Sequence, residues 1–259
     1  MADLRIFSYL PNPRVFKATI AARFSGAEIE IVGGAMGELA DWFWDYDARP
    51  LTDEDRKEFA SFAREAKTGF SGALYKSNAF LAANPFGDVP TAFGAEGSVG
   101  LFESNSIMRA AARLGPHAPQ LCGDDPLQQA RIDGFLDRAL IFARDAQRYL
   151  LGTRSERFAM LHADMATALD AYLEGIERSL GITKYIAGDV LSLADIAFAC
   201  ELSLFSNEVK IGKALTRADL HPLLPRIADF PRVRAHLALL AADPRFAEDL
   251  AAYFEQLLV

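Results

Sequence analysis

The hydrophobic and polar positions of this chain change period part-way along it. Leu4–Ser8 is a short apolar-rich run that predicts a strand. Pro11 and Pro13 punctuate the turn that follows, and Pro13 suits the first turn of a helix. Val15, Phe16, Ile20, Ala21 and Phe24 then recur on roughly one helical face, and Gly26 is placed to end that helix. Glu28–Val32 alternates polar with apolar and predicts a second strand. Strand, helix, strand at this short spacing predicts a right-handed parallel βαβ unit.

Residues 33–75 interrupt the pattern with a segment dense in aromatics, Asp41-Trp42-Phe43-Trp44-Asp45-Tyr46. Thr52 then reads as a helix N-cap followed by Asp53, Glu54 and Asp55, with Phe59, Phe62, Ala63 and Ala66 on one stripe and Gly69 and Gly72 as terminators. Val89–Phe93 and Val99–Phe102 read as strands joined by a compact turn at Gly94–Ser98, and Ser104–Leu114 as a helix. Beyond Asp124-Asp125-Pro126 alternation disappears. The stretches 127–151, 155–180, 193–211 and 230–257 all run at helical period. The expectation is an α+β chain with an N-terminal domain over 1–115 carrying an insert at 33–75, and an all-helical domain over 126–259. Ser192 with Asp195 forms a capping box flanked by Leu191 and Ile196, which makes Asp195 a helix-start device.

Composition narrows the function classes. The 259 residues carry a net charge of −8 and are 51% hydrophobic, which fits globular domains and argues against an extended phosphate-binding surface; no nucleic-acid partner is expected. No apolar run reaches the ~18–20 residues that span a bilayer, so no membrane partner is expected either. Cys122 and Cys200 are the only cysteines, and the start lacks the pattern of a secretion leader; both favour a cytoplasmic setting. Cys200, midway along a helix, reads as a buried apolar residue. Gly33-Gly34-Ala35-Met36-Gly37 has the wrong spacing for a phosphate loop, and the four histidines stand at no metal-ligand spacing, so no metal is expected.

Three blocks, Asn84-Pro85-Phe86-Gly87-Asp88-Val89-Pro90, then Leu101-Phe102-Glu103-Ser104-Asn105-Ser106-Ile107, then Tyr185-Ile186-Ala187-Gly188-Asp189 with Ser192-Leu193-Ala194-Asp195, resemble the glutathione transferase superfamily in order and spacing. Pro13–Ala27 resembles the transferase-like domain of the elongation factor 1B gamma subunit, and bacterial Nu-type and beta-etherase-like branches are similar as well. The resemblance implies a thioredoxin-like N-terminal domain, an all-helical C-terminal domain, a dimer, and glutathione as cosubstrate.

It also implies a site. The bond before Pro90 is expected cis, leaving the Val89 backbone to pair with the cysteinyl unit of glutathione. Ser104, at a helix start, would seat the γ-glutamyl carboxylate, and Glu103 would meet its ammonium. The turn Ser8–Pro13 would hold the group that stabilises the thiolate. Asn12 is the first choice, with Ser8 and Tyr9 as alternatives. One hydrogen bond to a charged sulfur, worth ~1.5–3 kcal/mol, would bring a thiol from ~8.5 towards neutrality. Asp88 departs from the family, where a basic residue often stands and helps hold the glycine carboxylate; Lys76 or Arg14 would have to substitute. Trp42, Trp44, Phe142, Tyr149 and Phe205 are candidates for an aromatic wall around an apolar aromatic substrate.

Two readings follow. One is a glutathione-dependent transferase whose thiolate attacks an aromatic or hydrophobic electrophile, with cleavage of lignin-derived β-aryl ethers as a concrete version. The other is a non-catalytic assembly domain of the translation-factor type, against which stands the absence of a further domain before Val259. Either reading implies a homodimer or a pair with a paralogue. The insert is expected to form an active-site wall or a dimer contact.

Overall fold

A computed structural model describes residues 2–66, 69–97, 99–117 and 120–258. The chain divides into two compact units, residues 1–118 and 119–259.

The first unit runs β1 (Leu4–Phe7), α1 (Pro13–Ser25), β2 (Ile29–Val32), β3 (Trp42–Trp44), β4 (Arg49–Pro50), α2 (Asp53–Glu58), β5 (Ala63–Glu65), β6 (Ala73–Lys76), α3 (Asn78–Ala83), β7 (Thr91–Gly94), β8 (Gly100–Phe102) and α4 (Ser104–Leu114). The main sheet has the order β2-β1-β7-β8. β1 and β2 pair in parallel from Leu4↔Ile29 to Phe7↔Val32 around α1, which is the predicted βαβ unit. β7 and β8 are an antiparallel hairpin. Ser98, part of the turn expected between them, lies outside the described residues. The mixed sheet with α1 and α4 is the thioredoxin-like arrangement.

The buried face of α1 differs from the predicted one. Pro13, Val15, Lys17, Ala18, Ile20, Ala21 and Ala22 are buried, while Phe16 and Phe24 are only partly so. A lysine therefore stands on the inner face. Ser25 Oγ donates to the Ala111 carbonyl at 2.7 Å, tying the end of α1 to α4.

Residues 33–76 carry a second small sheet, β4-β3-β6-β5, together with the short helix α2. The helix expected over 52–66 stops at Glu58. Thr52 and Asp55 do form the capping box at its start, but Ala63–Glu65 pairs with β6 as a strand. Phe43 stacks on Phe59 at 4.3 Å, so the apolar stripe serves the face of the small sheet. Trp44 is 1% exposed and shares one cluster with Phe7, Leu39, Leu74, Phe80 and Phe93. The segment is thus continuous with the domain core.

The second unit is helical: α5 (Pro126–Leu151), α6 (Phe158–Leu180), α7 (Leu193–Phe205), α8 (Gly212–Arg217), α9 (Pro231–Ala241) and α10 (Pro244–Leu257). Asp125 caps α5, accepting from Leu127 N and Gln128 N. Every residue of α7 is buried, including Cys200 and the polar Asp195, Glu201 and Ser203, as expected of a mostly apolar central helix. The helix expected over 193–211 tightens into a 3₁₀ turn after Phe205. The one expected over 230–257 is two helices, because Asp243 caps a new start and Pro244 lacks the N–H that a continuing helix needs. No helix among the described residues is long and apolar enough to cross a membrane.

Candidate functional site

Strand register assembles the site. Phe7 pairs with Thr91, and Thr91 pairs with Phe102. β7 runs against both neighbours, so the segment after β1, the segment before β7 and the segment after β8 meet at one end of the sheet. Those segments carry Ser8 to Asn12, Val89-Pro90, and Glu103-Ser104. Two strand spacings separate the outer pair, ~10 Å, which matches an extended tripeptide at ~3.3–3.6 Å per residue.

The middle segment is held by Asn84. Its amide donates to the Asp88 carbonyl, to Asp88 Oδ1 at 2.9 Å and to Thr91 Oγ1 at 2.8 Å, while its own Oδ1 accepts from Phe86 N and Gly87 N. The Val89–Pro90 bond is cis, as expected. Neither the N–H nor the C=O of Val89 is engaged by another described residue, so both remain available to an extended peptide.

Beyond β8 the chain enters α4 through Glu103, at φ 64° and ψ 120°. Positive φ at a residue with a Cβ costs of order 1 kcal/mol or more, and such positions concentrate at functional sites. Glu103 is the N-cap residue but its side chain makes no capping bond; the carboxylate is exposed. Ser104 is therefore the first helical residue and not the cap. Its hydroxyl accepts from the ammonium of Lys17 at 3.1 Å, and the neighbouring Asn105 Oδ1 accepts from the same ammonium at 2.8 Å. Lys17 is fully buried. Sequence reading passed over this lysine; the available signal was a cation at the position of α1 that shares a face with Pro13, Ile20 and Ala21.

At the first segment Asn12 caps α1, its Oδ1 accepting from Arg14 N, and its amide donates to Ser8 Oγ at 3.0 Å. Asn12 and Ser8 are both buried, whereas Tyr9 is partly exposed. Gly33 backs the turn: a Cβ there would lie 1.7 Å from the Ser8 carbonyl oxygen.

Charge around Asp88 is rebalanced locally. Lys76 Nζ donates to the Gly87 carbonyl at 2.5 Å and lies 4.6 Å from the centre of the Trp44 ring. A cation thus stands one residue from Asp88, contributed by β6 of the small sheet.

The aromatic candidates separate on burial. Trp44 is a core side chain whose Nε1 donates to the Leu39 carbonyl, and Trp42 beside it is partly exposed. Tyr149 and Phe205 are fully buried in the helical unit. Tyr149 donates to Glu208 at 2.7 Å, and burial, helped by that carboxylate, pushes its hydroxyl pKa upward. Phe142, stacked on Tyr172 at 4.6 Å, borders a surface groove of ≈370 Å³ between α5 and α6 with Ile141, Arg138 and Arg148. Tyr149, Phe205 and Trp44 therefore pack cores and reach no open wall.

Comparison with known proteins gives a family match over part of the chain. The family model described as "Glutathione S-transferase, C-terminal domain" matches residues 145–244. A glutathione S-transferase from Methylobacillus flagellatus solved with glutathione superposes with a TM-score of 0.63 over 95% of this chain and 98% of that one, at 15% identity. The helical unit thus matches the glutathione transferase family model over residues 145–244, and the chain shares the fold of solved glutathione transferases. The chain is 28% identical over 205 residues to the glutathione S-transferase-like protein LUC7 of a Fusarium species, covering 76% of this chain and 75% of that one. It is 26% identical over 239 residues to elongation factor 1-gamma 3 of Oryza sativa, covering 91% of this chain but 45% of that protein. Glutathione S-transferase I from maize, solved with an atrazine–glutathione conjugate, superposes at a TM-score of 0.61, with 20% identity over 99% of this chain and 98% of that one.

Proposed function

We propose that this protein is a glutathione-dependent transferase in which the glutathione thiolate attacks a hydrophobic or aromatic electrophile. The observation that carries the reading is the meeting, at one sheet end, of an unengaged Val89 backbone before cis-Pro90 and the Ser104 hydroxyl backed by a buried ammonium. Glutathione would lie across this edge. Its cysteinyl backbone pairs with Val89 N–H and C=O, its γ-glutamyl carboxylate receives the Ser104 hydroxyl and the α4 amides, and its ammonium meets Glu103. Lys76, beside Gly87, supplies the cation for the glycine carboxylate that Asp88 would otherwise repel.

The sulfur then falls at the turn after β1. Asn12 remains the first candidate to donate to it, because its amide is already oriented by Ser8 and by the α1 start. Tyr9, the accessible side chain of the three, is the alternative. A hydrogen bond to the thiolate stabilises the reacting form without a general base, and the electrophile's leaving group departs as the carbon–sulfur bond forms. The atrazine conjugate bound by the maize neighbour supports conjugation as the reaction type. Cleavage of β-aryl ethers is the finer proposal, with a phenolate as leaving group.

The elongation factor 1-gamma relative, aligned over 91% of this chain, favours a second reading, a non-catalytic assembly domain pairing with itself or with a paralogue. Retention on immobilised glutathione separates the two. The enzyme reading expects binding by the wild type, a roughly 10-fold or greater loss for Ser104→Ala, and thioether formation with an aromatic halide. Absence of both binding and turnover leaves the assembly domain. Phenol release from a model β-aryl ether, dependent on glutathione, is required for the etherase; turnover of the halide alone rejects it.

A further inference from the structure

We infer that Lys17 is a positioning residue for the anion seat at Ser104, acting through the hydroxyl and not by touching the ligand. The inference deepens the glutathione reading and rests on it. An ammonium can only donate, so Ser104 Oγ, 3.1 Å away, must accept from it. A hydroxyl has one proton and accepts through its lone pairs. With one lone pair held by Lys17, the proton of Ser104 is directed away from the ammonium and is free to be donated to a ligand. The same ammonium holds Asn105 Oδ1 at 2.8 Å, so it grips the first two residues of α4 together.

Burial gives the arrangement its strength. Lys17 is fully buried, Ser104 is 5% exposed and Asn105 is 1% exposed. A carboxylate accepting from Ser104 Oγ would sit one hydroxyl away from a full positive charge poorly screened by water. Glu103, with its backbone at positive φ and no capping bond, leaves the α4 start without a side-chain cap that would compete for its amides. A net charge of −8 does not attract an anion, so selection for the γ-glutamyl α-carboxylate falls to this local device.

The test compares two ligands on the full chain. One is glutathione; the other is 4-aminobutyryl-cysteinylglycine, which is glutathione without the γ-glutamyl α-carboxylate. Lys17→Gln keeps a donor towards Ser104 but removes the charge, and Lys17→Met removes both. Thermal unfolding of each variant identifies any that fail to fold, and Lys17→Gln carries the test if Lys17→Met does. The expected result is a 10- to 30-fold loss of glutathione affinity in Lys17→Gln with less than a 2-fold change for the decarboxylated ligand, expressed in KM rather than kcat. In a Ser104→Ala background the same substitution should change glutathione affinity little. Equal losses for both ligands would make Lys17 a purely structural tie between α1 and α4 and overturn the inference, as would no loss for either. Failure of the wild type to bind both ligands is a different outcome, which removes the glutathione reading itself and the inference with it.

Discussion

Asn84, the C-cap of α3, donates to Thr91 Oγ1 at 2.8 Å across the six residues between them, in full burial, so its side chain ties the first residue of β7 to the end of α3. Between them lie Asp88, Val89 and cis-Pro90, whose backbone has no regular ladder of its own to hold it. The shape of this sheet edge therefore depends strongly on that amide, alongside the Thr91 hydroxyl that donates to the Asp88 carbonyl.

Substituting Asn84 with alanine should leave the Phe86 N–H without its acceptor and remove the donor to Thr91 Oγ1, while Gly87 N keeps the Asn84 carbonyl and the Thr91 hydroxyl keeps the Asp88 carbonyl. A buried polar group left unpaired costs ~1–3 kcal/mol, which sets the expected loss at ~1–3 kcal/mol. Urea unfolding measures this. If glutathione binds as proposed, its affinity should fall with the loop, and a variant of unchanged stability would show that the loop is held by other contacts.

Gly33 stands against the Ser8 carbonyl, where a Cβ would come within 1.7 Å of the oxygen. Gly33→Ala must therefore push β2 away from the end of β1, at roughly 1–3 kcal/mol. Because Ser8 receives the Asn12 amide, the shift is transmitted to the turn proposed to face sulfur. The glutathione thiol, titrated by its thiolate absorbance in the complex, should then move back towards ~8.5.

In the helical unit Asp195 is more than a cap. Its two oxygens accept from Ser192 N at 2.8 Å, Ile186 N at 3.0 Å and His236 Nε2 at 2.9 Å, with the carboxylate fully buried. Asp195→Ala leaves these donors buried without an acceptor and should cost ~3–5 kcal/mol. Asp195→Asn, which retains one acceptor oxygen, should fall between that variant and the wild type in the same thermal unfolding series.

The small sheet predicts its own pH behaviour. Arg49 beside Asp55, followed by the Thr52 N–H, holds the Asp55 carboxyl well below the usual carboxylate range. A depressed carboxylate contributes stability that is present above its unfolded value of ~3.9 and lost only as pH falls through the lower folded value. Amide chemical shifts of Thr52–Phe59 should therefore hold steady down to pH ~4. In Arg49→Met they should begin to change at higher pH, and the Asp55 carboxyl carbon should titrate closer to its ordinary midpoint.

What was legible in the residues themselves was local and periodic. The βαβ start, the helical character of the second unit, and the capping residues Thr52 and Ser192 follow from spacing and side-chain reach within a few residues. The motif blocks likewise placed Val89, Pro90, Glu103 and Ser104 by resemblance, and strand register put them on one edge. Even the break between α9 and α10 was written in Asp243-Pro244, a cap followed by a residue that cannot continue a helix. Tertiary structure alone decided the rest. Residues 33–75 became a sheet of two- to four-residue strands, too short to show a period and defined only by which distant partner they pair with. Trp44 went to the core because Phe7, Phe80 and Phe93 converge on it from elements up to 49 positions away in the chain. Lys17 joined the proposed anion seat because α4, nearly ninety residues later, brought Ser104 and Asn105 to its ammonium. Burying a charge is costly unless other groups solvate it, and where those groups come from is a property of the folded chain.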